Sequence, residues 1–332
     1  MVRARAGRGA GVGAEAGVDA GTVFDIEFNA MACECHVLLA AADEAEAAAL
    51  AQTAIDEVRR IERKYSRYLA DSVVGRINAA AGGAAIALDP ETDGLLRYAA
   101  SLYEMSGGRF DISCGVLRRA WDFSVDSDHH LPAAEQLGPL LALTGWPRIE
   151  HAHGQLRLPE AGMELDFGGF GKEYAADRAA ACLQARGVRS GYVNLGGDLR
   201  VIGPQPDGRA WQIGIAHPRT PGTCVASIAV AAGALATSGD YERYFDVDGQ
   251  RYCHILDPVS GYPVRHWRSV SVLAPLATVA GSCATIAMLC QERGRAFLDG
   301  CGFAYLAVDD EGRIHSRGVA DGADVHVPVR RG

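Results

Sequence analysis

Five short segments of this 332-residue chain set glycines beside charged or hydroxyl side chains at the ends of regular elements. Binding loops on a rigid scaffold occupy such places. In Glu164-Leu-Asp-Phe-Gly-Gly-Phe-Gly-Lys-Glu-Tyr-Ala-Ala-Asp177, the pattern predicts a strand ending at Asp166, a glycine-rich turn and a helix starting near Lys172. A helix N-terminus offers free N–H groups and positive dipole to phosphate, and Lys172 adds a point charge. The spacing matches neither the dinucleotide fingerprint nor the P-loop, so a plain strand-to-helix turn explains it equally well. Gly107-Gly-Arg-Phe-Asp111 lets amides approach a ligand and supplies the opposite charges of Arg109 and Asp111, or simply stops a helix with a surface ion pair. Val193-Asn-Leu-Gly-Gly-Asp198 runs a strand into a double glycine and a carboxylate, as a bulge or hairpin also would. Thr237-Ser-Gly-Asp-Tyr241 precedes His254-Ile-Leu-Asp-Pro-Val-Ser-Gly261, where an imidazole that titrates near neutrality stands beside a turn carrying Asp257. A strand histidine is more often structural. Thr278-Val-Ala-Gly-Ser-Cys-Ala-Thr285 opens an apolar helix with small residues, which tight helix packing also explains.

The elements that must position these segments are legible from periodicity. Residues 23–28 and 34–40 read as strands, and Asp43 reads as the N-cap of a long helix with Leu50, Ala54, Val58, Ile61 and Tyr65 on one face. Asp89 and Pro90 open a second helix that Gly107-Gly108 stops. Residues 124–154 read as loop with a short helix. Further strands are expected at 156–158, 192–203, 211–216, 225–231, 252–256, 268–274, 303–308 and 313–328, with helices at Lys172–Arg186 and Thr278–Cys290. Strands and helices mix without strict alternation, which favours α+β over a doubly wound sheet.

Hydrophobic residues make up 48% and charged residues 22%, as in an ordinary globular protein. The net charge of −9 speaks against a nucleic-acid partner, which needs a basic field. A phosphate ligand stays compatible, because local donors or a bound cation can hold it. Nine cysteines without a CxxC pattern read as free thiols in a reducing compartment; Cys33 and Cys35 share a strand face by spacing alone. Residues 1–21, rich in Ala, Gly and Arg, lack an apolar h-region and read as a flexible N-terminal arm, leaving 22–332 as a single domain. No apolar run reaches membrane-spanning length, so no membrane association is expected and the protein reads as cytoplasmic.

Together, in this order and spacing, the segments resemble one family, the ApbE family of FAD:protein FMN transferases. The resemblance runs from about Phe24 to Cys290. It includes Met31, Tyr65-Ser-Arg-Tyr68, Asp71-Ser72, Asn78, Gly108-Arg-Phe-Asp111 with Leu117 and Trp121, and Asp166–Asp177. It continues through Asn194-Leu-Gly-Gly-Asp198, Thr237-Ser-Gly-Asp240 and His254-Ile-Leu-Asp-Pro258. The resemblance implies an α+β, T-fold-like mixed sheet with packed helices, FAD bound as substrate in a cleft, and Mg2+. It also implies cleavage of the FAD pyrophosphate and attachment of FMN to a Ser or Thr of a target protein. By position, Met31, Tyr68, Arg109, Phe110, Asp111, Asp166, Lys172, His254 and Ile255 line the FAD site. Lys172 then meets phosphate charge, and His254 takes the proton of the incoming hydroxyl.

Two positions depart from that pattern. Similar proteins hold magnesium with a backbone carbonyl of the glycine turn, an Asp early in the late helix, and a Thr four residues later. These map to Gly169, Gly281 and Thr285, so the carboxylate is missing. Where relatives usually carry glycine after the lysine, this chain has Glu173. Three readings follow. Glu173, or another acid such as Asp240, supplies the carboxylate. Alternatively, the protein is a flavin-binding carrier or weak FAD pyrophosphatase with an impaired metal site. In the third, transfer depends less on metal, with Lys172 and helix-end amides stabilising the charge.

Overall fold

The structure, a computed structural model, describes residues 3–6, 22–124 and 129–319. Among these, nine strands form one sheet whose spatial order is the chain order. They are β1 (Arg3–Ala6), β2 (Thr22–Ala30), β3 (Cys33–Ala41), β4 (Gly191–Leu195) and β5 (Asp198–Gly203), then β6 (Gly233–Gly239), β7 (Trp267–Ala274), β8 (Ala304–Asp309) and β9 (Ile314–Arg317). Every neighbouring pair is antiparallel. The helices are insertions into this meander. Between β3 and β4 lie α1 (Glu44–Tyr65), α2 (Val73–Ala79), α3 (Pro90–Met105), α4 (Ala134–Leu141) and α5 (Gly171–Ala185). Between β7 and β8 lie α6 (Ala277–Leu289) and α7 (Gly294–Cys301). The α+β class is the one expected from the sequence.

Strand alternation sorts the side chains into two cores. Val37, Val193, Ala236, Val270 and Val272 point to the helical side, against α1, α5 and α6. The buried stripe of α5 is Ala175, Ala176, Ala179, Ala180 and Leu183, so small residues let it lie close to the sheet and to α6. On the other face Leu199, Val201, Leu235, Leu306 and Val308 meet Trp211, Ile215, Ile228 and Val230. Those four come from a hairpin, Trp211–Ala216 with Cys224–Val230. A third cluster joins Trp121, Leu137, Phe245, Tyr252 and Leu256 and supports the segment after the hairpin Tyr244–Val247/Gln250–Cys253.

Local signals set the helix boundaries. Asp43 accepts from Glu46 N at 2.8 Å, and Asp89 accepts from Glu91 and Thr92 N with Pro90 in the first turn. Several expectations change. Arg3–Ala6 pairs with β2, so part of the expected flexible arm is an edge strand; residues 1–2 and 7–21 lie outside the described residues. The strand expected to end at Asp166 is irregular chain, because Asp166 closes a turn on its own side chain. The strand expected over 252–256 is Gln250–Cys253, and the one expected over 313–328 ends at Arg317, with 320–332 outside the described residues.

Candidate active site

The glycine turn before α5 lies on a floor of aromatic rings. Phe110 and Phe170 stack with centroids 6.3 Å apart, and Phe167 and Phe170 lie 5.2 Å apart. A Cβ on Gly169 would come within 2.8 Å of Phe110 Cζ, so only glycine lets the backbone rest there. Phe110 itself is buried beneath that backbone. Asp166 Oδ1 accepts from Gly168 N at 2.8 Å, while Oδ2 faces Arg67 Nη1 at 3.2 Å and Arg118 Nε at 3.3 Å. Tyr68, next to Arg67, is 76% exposed and has the Arg67 guanidinium 5.4 Å from its ring centroid. Its aromatic face is open to a partner ring.

Lys172, in the first turn of α5, reaches across to the β4–β5 hairpin. Its Nζ lies 2.8 Å from Asp198 Oδ2 and donates to Gly196 O at 3.4 Å. Asp198 is buried and also accepts from Thr237 N. Burial works against the ammonium, but the charges of Asp198 and Glu173 outweigh it and hold the pKa above the usual lysine value. Lys172 is therefore a permanent cation. Met31 sits in the tight β2–β3 turn at φ 53, unusual for a residue with a side chain, and its N–H donates to Glu62 Oε1 at 2.5 Å.

Glu173 and Gly281 fit together. The Glu173 carboxyl group fills the space where a Cβ on Gly281 would stand, with its Cδ 2.8 Å from that point. An aspartate at 281 and the present Glu173 conformer are mutually exclusive. Glu173 Oε2 is buried and has no hydrogen-bond partner among the described residues. Burial, then the nearby Asp198 charge, pushes its pKa up to about 8. One turn later Asp177 accepts from Ala277 N, Thr278 N and Thr278 Oγ1 at 2.9, 2.9 and 2.7 Å. That contact pins α5 to the start of α6, and the register it sets brings Glu173 against Gly281. Thr285 follows Gly281 by one turn on the same helix face, its Oγ1 2.8 Å from Ser238 Oγ.

His254 is half-buried just past the strand Gln250–Cys253. Its Nδ1 lies 3.3 Å from Arg243 O. That carbonyl can only accept, so Nδ1 carries the proton and Nε2 keeps a free lone pair. Burial, then the charges of Arg118 and Arg243, lower its pKa to about 4, and Lys172 adds to the effect. Asp166, Lys172 and His254 thus share one field of cations. Ile255 is buried behind His254, its carbonyl accepting from Val264 N at 3.0 Å.

Arg109 and Asp111 do not pair with each other. Arg109 Nη1 donates to Asp257 Oδ2 at 3.1 Å, fixing the turn after His254. Asp111 accepts from Ser113 N, Ser113 Oγ and Trp146 N, so both its oxygens are engaged in shaping its loop. Asp240, the other acid considered for the metal, is locked by two 2.6 Å bonds from Arg219. Sequence reasoning did not single out Arg67, Arg118 or Arg243, nor the roles of Asp177 and Asp198. Arg67 lay within the Tyr65–Tyr68 motif and Asp198 within the double-glycine segment, so both carried a signal; Arg118 and Arg243 carried none.

A nine-stranded antiparallel sheet with inserted helices, carrying a glycine turn, a half-buried lysine and a half-buried histidine, defines a protein of the α+β class. The ApbE family model matches residues 21–306. The FAD:protein FMN transferase of Treponema pallidum is 32% identical over 259 residues, covering 72% of this chain and 71% of that protein. The transferase of the same name from Vibrio cholerae is 31% identical over 250 residues, covering 74% and 75%. Among solved structures, the ApbE protein of Thermotoga maritima superposes with a TM-score of 0.82 at 31% identity, covering 89% of this chain and 97% of the other. Pseudomonas stutzeri flavinyl transferase ApbE, in its apo form, gives 0.77 at 29%, covering 89% and 95%. The chain belongs to the ApbE family. Among the described residues no helix is long and apolar enough to cross a membrane.

Proposed function

We propose that this chain is an FAD:protein FMN transferase whose metal-binding carboxylate is Glu173. The observation that carries the activity is His254, neutral and with Nε2 free, in a cluster of cations that includes Lys172, Arg118 and Arg243. Those cations bind and orient the FAD pyrophosphate. The hydroxyl of a target Ser or Thr attacks the phosphorus on the flavin side. Its proton passes to His254 Nε2, the P–O bond to the adenylate half breaks, and AMP leaves as FMN stays on the protein as a phosphoester. Arrival of a pyrophosphate offsets the cations that depress His254, so substrate itself raises the basicity of the imidazole.

The residues present suit magnesium, which takes oxygen ligands and favours carboxylate. Gly169 O, the Glu173 carboxylate and Thr285 Oγ1 would hold it, and the buried, unpartnered Glu173 Oε2 is the atom that lacks a cation. Bound magnesium would neutralise phosphate charge as the leaving group departs. The Gly281 position supports this reading, because the carboxylate on α5 occupies the room that an acid on α6 would need.

The test is incubation with FAD, magnesium and a Ser/Thr-containing candidate peptide, following AMP release and the mass of the peptide. Peptide carrying FMN, lost in His254→Ala with FAD binding retained, is the expected result. FAD binding without AMP release or labelled peptide would replace the transferase reading with that of a flavin carrier.

A further inference from the structure

Away from the glycine turn, a cavity of about 350 Å3 opens beside the hairpin Tyr244–Val247/Gln250–Cys253. Four arginines line it, Arg219, Arg251, Arg265 and Arg268, against two acids, Asp240 and Asp310. Such a local excess of positive charge is notable in a chain whose net charge is −9. Guanidinium groups gathered around one half-exposed cavity repel one another, and an anion among them relieves that repulsion.

Each arginine is held from behind. Arg219 grips Asp240 through both terminal nitrogens, and Arg251 lies 3.5 Å from the Tyr244 ring centroid and 3.2 Å from Asp246. Arg265 stacks 4.8 Å over Tyr252, and Arg268 donates to the Asp310 carbonyl. Among the described residues neither Arg265 nor Arg268 forms a direct ion pair with a carboxylate, so both guanidinium groups keep donors for a ligand. Planar guanidinium groups preset by stacking and hydrogen bonds match the paired oxygens of phosphate or carboxylate. The volume suits a small ligand rather than a folded chain. Cys253 forms part of the wall, so the site backs directly onto the segment that carries His254.

We infer that this cavity is a second binding site, for a small oxyanionic ligand bearing phosphate or carboxylate groups, separate from the flavin cleft. The test uses the full chain with FAD saturating and EDTA present, so that the flavin site is filled and turnover is blocked. Inorganic phosphate and, separately, citrate are titrated calorimetrically. Saturable one-site binding is expected, weakened about tenfold or more in Arg265→Gln/Arg268→Gln with FAD affinity unchanged. Binding of phosphate alone assigns phosphorylated ligands, binding of citrate alone assigns carboxylates, and binding of both assigns the shared oxyanion. Should the double variant fold poorly, Arg265→Gln alone, at an exposed side chain, is expected to weaken binding severalfold. Absence of saturable binding by either probe, or undiminished affinity in the arginine variants, overturns the inference.

Discussion

Asp177 and Glu173 stand one turn apart on α5, and both face α6, yet their surroundings are opposite. Asp177 receives three hydrogen bonds from the first turn of α6 and an ion pair from Arg200 at 3.2 Å. Glu173, which meets Gly281 a turn further along α6, keeps one oxygen buried with no partner. A satisfied buried acid fixes structure, whereas an unsatisfied one is costly and persists where something else supplies its partner. The same helix pair is therefore a brace at one level and, on the proposed reading, a ligand set at the next.

That contrast can be broken at either acid. Asp177→Ala leaves the α6 N-terminus uncapped and Arg200 without its carboxylate, and should cost about 3 kcal/mol in urea unfolding. Gly281→Asp alone forces a second carboxylate into the space of Glu173 and should cost about 2 kcal/mol. Adding Glu173→Gly should recover that loss, and a double variant as unstable as Gly281→Asp would show that the two side chains do not compete. Replacing Glu173 by its neutral amide should act the other way from removing Asp177. The folded-state pKa of about 8 lies above the ordinary carboxylate value, so without metal the native state holds a proton that the unfolded chain has released. Stability contributed by this group should fall as pH rises from about 4.5 to 8, by at most about 1.4 kcal/mol per pH unit. Glu173→Gln should flatten that slope, which unfolding at a series of pH values in EDTA would read. The smallest effect is electrostatic: adding FAD in EDTA should move the His254 titration upward from about 4, as seen in its ring proton resonances.

What the sequence made legible was local or carried by motif. The caps Asp43 and Asp89, with Pro90 and the stop at Gly107-Gly108, are written within a few residues of the elements they bound. The motifs led to Lys172 and His254, and the departures at Glu173 and Gly281 were visible together, with Glu173 as one candidate for the missing carboxylate. Their direct contact was not, because it depends on the docking of α5 on α6 through Asp177, a pairing between distant stretches of chain. The same holds for Lys172 with Asp198. Short elements such as α2 and α7 escaped notice because their few residues give periodicity little to work on. Arg109 and Asp111 looked like a pair because they are two residues apart, but Arg109 meets Asp257 and Asp111 meets Trp146 in a different loop.

On the proposed reading, Glu173 on α5 supplies the magnesium carboxylate in place of an acid at position 281 on α6. Calorimetric titration of magnesium into the FAD complex, for the natural chain, Glu173→Gln and Glu173→Gly/Gly281→Asp, tests it most directly. Strong binding in the natural chain, loss of about tenfold or more in Glu173→Gln, and recovery in the double variant are predicted. Equal magnesium affinity in the natural chain and Glu173→Gln would contradict it.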